Sequence, residues 1–161
     1  MLTLRPAALD DVPLILQFIR ELAEYEREPQ AAVATAEDLI RDGFSGHPKF
    51  KVVMAEWERK PAGFAFYFYH YSTWQGRPGI YLEDLFVRPE FRGKNIGKSL
   101  LIHLAQIAVR ENCYGMRWQV LDWNEPAIKF YQSFGSEFMD EWRTVRLSGE
   151  PLRKLAEAKL G

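Results

Sequence analysis

Glu83 and Asp84 interrupt an apolar run, Ile80 to Val87, whose aromatic and branched residues read as a buried strand. A carboxylate in such a place costs free energy unless it is paired, hydrated or used. Partial burial raises a carboxylate toward working pH, which makes Glu83 a candidate general base. Neighbours on a regular strand point to opposite faces, so only a bulge lets Glu83 and Asp84 see one cleft. Arg88-Pro89 ends the strand, because proline has no N–H for the ladder. Arg92-Gly-Lys-Asn-Ile-Gly97 then runs into helical spacing, with Ile96, Leu100, Leu104, Ile107 and Ala108 on one face. A basic, glycine-containing turn entering a helix aims several N–H groups at one spot, with the positive end of the helix dipole behind them. That is a seat for phosphate. One short segment therefore offers an acidic strand beside an anion seat.

Two common phosphate motifs do not fit. Gly93-Lys-Asn-Ile-Gly97-Lys98-Ser99 resembles a Walker loop, but it has three residues between its glycines where that motif needs four. The dinucleotide fingerprint G-x-G-x-x-G is absent. The bland alternative is a basic first turn on an ordinary amphipathic helix.

Composition narrows the class. A chain of 161 residues favours a single domain over 1–161 with a sizeable core, and 47% hydrophobic content argues against disorder. A formal net charge of −1 gives no electrostatic case for nucleic acid or an anionic membrane. No apolar run is long enough to span a membrane, and no early secretory segment stands out. Cys113 is the only cysteine, which excludes an internal disulfide and fits a reducing cytoplasm. His47, His70 and His103 are scattered without metal-ligand spacing, so metal-free chemistry is expected.

The elements that must hold these residues follow in order. Leu2–Arg5 reads as a strand, and Asp10 or Asp11 as the cap of a helix carrying Val12, Ile15, Leu16, Ile19 and Leu22. Its acidic end, with Tyr25 and Glu26, has the wrong sign for a helix C-terminus, so it is either solvated surface or faces a cationic ligand. Thr35 with Asp38 makes a capping box for a helix from Ala36 to about Asp42, closed by Gly43. Phe50–Trp57 and Gly63–Tyr71 form a hairpin, and Met116–Leu121 alternates as another strand. Asn124 caps a helix with Ala127, Phe130, Tyr131 and Phe134 on its stripe, ended by Gly135. Trp142–Leu147 reads as a last strand, and Leu152–Leu160 as a basic amphipathic tail. The expected class is α/β (α+β), a mixed sheet of six to seven strands flanked by helices, in the order β-α-α-β-β-β-α-β-α-β.

These residues and their order resemble the GNAT acetyltransferases. Arg92-x-x-Asn95-x-Gly97 occupies the position of that family's pyrophosphate loop, with Asn95 where glycine is usual. Asparagine is the next most tolerant residue of left-handed backbone angles, so the turn can still form. The likeness is greatest to the spermidine/spermine (diamine) acetyltransferase branch, including thialysine acetyltransferase-like members. Tyr81-Leu-Glu-Asp-Leu-Phe-Val87, Trp123-Asn-Glu-Pro-Ala-Ile-Lys-Phe-Tyr131, Glu21-Leu-Ala-Glu-Tyr-Glu26 and Asp42-Gly-Phe-Ser-Gly-His-Pro48 carry it, over nearly the whole chain.

The resemblance implies acetyl-CoA as donor, a small cationic amine as acceptor, direct attack in a ternary complex and a homodimer. Backbone groups of Leu85, Phe86 and Val87 would hold the pantetheine arm and the thioester carbonyl. Arg92, Gly93, Lys94, Asn95, Ile96, Gly97 and Lys98 would hold the pyrophosphate. Asn124 would touch cofactor or amine, and Tyr131 would stand by the thioester sulfur. Glu83 matches the proposed base, acting directly or through water. Tyr25, Glu26 and Asp84 match the amine site, and Asp140, Glu141 and Trp142 a further polyamine contact.

The chemistry needs these types. An alkylamine with a pKa near ~10.4 must lose a proton before it attacks, the oxyanion needs donors, and the leaving thiolate takes a proton that a phenol can give. Each role has a structural rival: Glu83 bonded to backbone, Tyr131 half-buried in a core, the Phe64–Tyr71 aromatics as core and interface. A protein or peptide amine acetyltransferase, an acyl-CoA sensor and a nucleotide hydrolase are the competing functions.

Overall fold

The computed structural model describes residues 1–160 and separates into two compact units, Met1–Leu121 and Asp122–Gly161. The first contains a five-stranded sheet: β1 (Leu2–Pro6), β2 (Lys51–Trp57), β3 (Lys60–Ser72), β4 (Arg77–Val87) and β5 (Met116–Arg117), in that spatial order. The first three pairings are antiparallel and β4 pairs β5 in parallel, so the sheet is mixed as expected. Helix α1 (Val12–Tyr25) and α2 (Ala36–Gly43) lie between β1 and β2 in the chain, and α3 (Ile96–Arg110) crosses from β4 to β5. The parallel pair requires such a crossover. Among the described residues no helix is long and apolar enough to cross a membrane.

The helices form where the sequence pattern puts them. On α3 the expected stripe of Ile96, Leu100, Leu104, Ile107 and Ala108 is buried. On α1 the expected face is largely right, but Phe18 is its centre: fully buried, with its ring 5.4 Å from Phe64 and 6.1 Å from Phe86. Thr35 and Asp38 form the capping box at the start of α2. Asp11 does not cap α1 through its side chain. It takes both terminal nitrogens of Arg5 at 2.7 and 2.9 Å, while Glu56 of β2 takes Arg5 Nε. The guanidinium holds the Asp11 carboxyl below its ordinary value, and a charge-assisted bidentate bond outcompetes a cap.

Two departures concern strands. Trp142–Leu147 carries no ladder, so the sheet has five strands where six to seven were expected. Met116–Leu121 pairs only over Met116 and Arg117. Alternation in sequence marks what a segment could pair, and a ladder also needs a partner. The expected tail is a helix, α5 (Gly149–Glu157).

β3 and β4 approach closely at Gly63, which pairs with Val87. A methyl there would strike the Phe86 carbonyl oxygen and lie 3.0 Å from Val87 Cα. Gly63→Ala should therefore cost about 1–3 kcal/mol of stability in urea unfolding, because backbone has to move to make room.

Candidate active site

The register between β3 and β4 shifts at one point. Phe66 pairs with Asp84 and Tyr67 with Leu82, so Glu83 is the extra residue of a bulge. This is the irregularity that lets neighbouring carboxylates leave strict alternation. Glu83 itself is exposed, contrary to the partial burial expected of it. The burial falls on Asp84, whose carboxyl is pushed up to about 7 by desolvation, then by the charges of Glu83 and Glu26. Glu26 is also raised, by burial. It follows Tyr25, the last residue of α1, where Arg27 turns the chain with a left-handed backbone (φ 65°). Asp84 thus feels the charges of two other expected amine-site acids in the first unit.

Beside this cluster β4 has an open edge. β5 pairs only with Ile80 and Tyr81, so among the described residues no strand lies against Leu82–Val87 on that side. The Arg88 N–H donates to the Ala62 carbonyl. By alternation the N–H groups of Val87 and Leu85 point the other way, toward the open edge. A chain-like ligand can add to such an edge as another strand would.

The turn after β4 matches an anion seat. Gly93 (φ 78°) and Asn95 (φ 59°, ψ 17°) both adopt left-handed backbone, and α3 starts at the next residue. Asn95 makes no side-chain cap, so its value lies in its backbone angles, and no acid stands in the first turn of α3 to offset the dipole. Replacing Asn95 by alanine should cost about 1 kcal/mol. Asn95→Gly should keep the stability, as thermal unfolding would register. Arg92, Lys94 and Lys98 are exposed, and the Lys94 ammonium lies 5.1 Å over the Trp57 ring.

A cleft of about 700 Å³ has Glu21, Tyr25, Phe86, Arg88 and Arg92 among its walls. Sequence reasoning gave Arg88 and Glu21 no role, yet they lock α1 to the end of β4. Arg88 donates through Nε and Nη2 to both Glu21 oxygens at 2.9 and 2.8 Å, and its guanidinium lies 4.8 Å over Phe18. The partners are 67 residues apart, so no local pattern could have announced them.

The second unit holds α4 (Glu125–Gln132). Asn124 Oδ1 accepts from the Ala127 N–H at 3.4 Å, and Pro126 sits in the first turn, as expected from the sequence. Tyr131 lies in the last turn, half-buried, its ring 5.4 Å from Phe130. Gly135 turns with φ 78° and donates to the Gln132 carbonyl. Asp140, Glu141 and Trp142 are exposed in an irregular stretch of this unit.

The model of the acetyltransferase (GNAT) family matches residues 15–136. A thialysine N-epsilon-acetyltransferase of Sus scrofa is 38% identical over 164 residues, an alignment covering 95% of this chain and 96% of that protein. A spermidine/spermine N(1)-acetyltransferase-like protein 1 of Homo sapiens is 37% identical over 163 residues, covering 95% of this chain and 23% of that protein. Among solved structures, an integron cassette protein from the mobile metagenome of V. cholerae superposes with a TM-score of 0.82 at 32% identity, over 98% of each chain.

Proposed function

This chain belongs to the acetyltransferase (GNAT) family and is an N-acetyltransferase of amines, and we propose that it moves acetyl from acetyl-CoA to a primary amine of a small cationic molecule. The observation that carries the reading is the bulge at Glu83, which takes Glu83 and Asp84 out of strict alternation beside the open edge of β4, with the charge of Glu26 reaching Asp84. Clustered, desolvated carboxylates favour a cation, and a strand edge with outward N–H groups favours an amide-bearing arm. The names of these relatives divide between thialysine and spermidine/spermine, and both are small cationic amines.

Acetyl-CoA supplies the activated thioester when bound. The N–H groups of Leu85 and Val87 would grip its pantetheine arm and donate to the carbonyl oxygen as that oxygen gains charge. The N–H groups from Arg92 to Lys98 would hold the pyrophosphate. The Glu83–Asp84 pair would take the proton from the ammonium, Asp84 having the value suited to accept it near neutral pH and Glu83 the contact with solvent. The nitrogen–carbon bond would form as the carbon–sulfur bond breaks; the nitrogen would give up its second proton to solvent, and Tyr131 would give a proton to sulfur and regain one from solvent. Glu26 and Tyr25 would hold the far part of the amine, with Asn124, Asp140, Glu141 and Trp142 proposed as further contacts. Residues 1–161 are read as one catalytic domain working as a homodimer. Exposed apolar side chains such as Trp142, Val145 and Leu155 are compatible with that state, which light scattering after size exclusion would test.

Thiol release from acetyl-CoA should be followed with spermidine, spermine, putrescine, lysine, thialysine and a basic peptide. Turnover with a small amine well above that with the peptide is expected. Peptide turnover alone would defeat the small-substrate reading, and silence throughout would defeat the proposed substrate class.

A further inference from the structure

Arg92 joins two parts of the first unit that the proposed reaction uses separately. Its Nε donates to the Val87 carbonyl at 3.1 Å, and its guanidinium carbon lies 4.9 Å over the Tyr25 ring. Because Arg88 N–H points toward β3, the Val87 carbonyl points to the open edge of β4. Tyr25 precedes Glu26, whose charge reaches Asp84. Both Tyr25 and Arg92 wall the same cleft. The cleft's other guanidinium, that of Arg88, is offset by a two-point ion pair with Glu21. The ion pairs among the described residues include none to Arg92.

Arg92 therefore presents a positive charge that none of these ion pairs neutralises, fixed by an aromatic face and a carbonyl, on the side where a cationic amine would bind; Glu24 and Glu90 also wall this cleft. Like charges raise one another's energy, and an anion at the adjoining turn cancels the effect. We propose that Arg92 is a charge gate on the amine site. With the turn empty it disfavours a cationic amine, and pyrophosphate bound at the turn relieves that penalty, so donor binding strengthens amine binding. The inference rests on the proposed pyrophosphate seat at Arg92–Lys98. Coupling of this kind is reciprocal: the amine strengthens donor binding by the same factor.

Calorimetry on the full chain tests it, with spermidine and thialysine titrated into protein alone, protein saturated with CoA, and protein with pantetheine, which lacks the pyrophosphate. CoA should lower the amine Kd roughly fivefold or more, the lower end of ordinary coupling between sites, and pantetheine should not. Arg92→Gln should bind amine without donor about as well as the wild type binds it with CoA, and CoA should add nothing further. An equal effect of CoA and pantetheine on the wild-type chain would overturn the gate, and so would an undiminished CoA effect in Arg92→Gln. CoA binding with no change in amine Kd would overturn the gate alone. No CoA binding at all would overturn the pyrophosphate seat, and the gate with it.

Discussion

Tyr131→Phe is expected to lower kcat by roughly 10²-fold or more, the ordinary size of a general acid's contribution, while leaving the Kd for acetyl-CoA unchanged. The substitution deletes one hydroxyl and keeps the ring that packs against Phe130. Loss of fold should therefore not confuse the result, and the thermal midpoint should stay close to wild type. Without a proton donor the sulfur must leave as a thiolate, so the deficit should be greatest at high pH, where solvent supplies fewer protons. A thioester with a better leaving group should recover part of the rate. Unchanged turnover would remove Tyr131 from the chemistry and return it to the role of a half-buried helix residue.

Asp84→Asn is the second large effect, and it should act in two directions at once. Activity should fall by about 10²-fold or more, because the group suited to accept a proton near neutral pH is gone. The rise of kcat/KM near pH 7 should vanish with it. The amine's own titration, near ~10.4, is too far away to be mistaken for that limb. Stability should move the other way. The Asp84 carboxyl is raised in the folded chain, from an ordinary 3.8 to about 7, so the folded state holds its proton more tightly than the unfolded one. Its contribution to stability is complete below the ordinary value and is lost as pH rises through about 7. The amide has no such charge to desolvate, and Asp84→Asn should gain up to about 4 kcal/mol over wild type at pH 8, with little gain at pH 4. Glu83→Gln supplies the control. The Glu83 charge helps raise Asp84, so its removal should shift the activity limb to lower pH. A limb that survives Asp84→Asn would return the base role to Glu83.

Much of this was legible in the sequence because it depends on local rules. The stripe of α3, the Thr35–Asp38 box and the Asn124 cap are each written within one or two helical turns, and each is present in the structure. Asn95 was legible too, since few other residues tolerate the left-handed angles found there. The Glu83–Asp84 pair marked the need for a bulge, and the register supplies it. Sequence could not say which of the two acids is buried, since that depends on what β3 and the end of α1 bring against them. The Arg88–Glu21 pair and the Arg92–Tyr25 stack were illegible for the same reason, being made between elements distant in the chain. Trp142–Leu147 failed for a related cause: pairing belongs to two segments and only one can be read locally.

The open edge of β4 has a consequence for how this chain can change over time. It presents main-chain groups, which every residue type except proline provides alike. Under the proposed function, side chains at Leu85 and Val87 could therefore drift among apolar types while the grip on an extended arm persists. Constraint at this edge would fall on backbone path, through glycines such as Gly63 and the bulge at Glu83, and hardly at all on side-chain identity. The proposed acceptor side is built the opposite way, from individual carboxylates and one tyrosine, where each replacement would alter what is recognised. One half of the reaction would thereby be insulated from mutation while the other stays free to explore new amines.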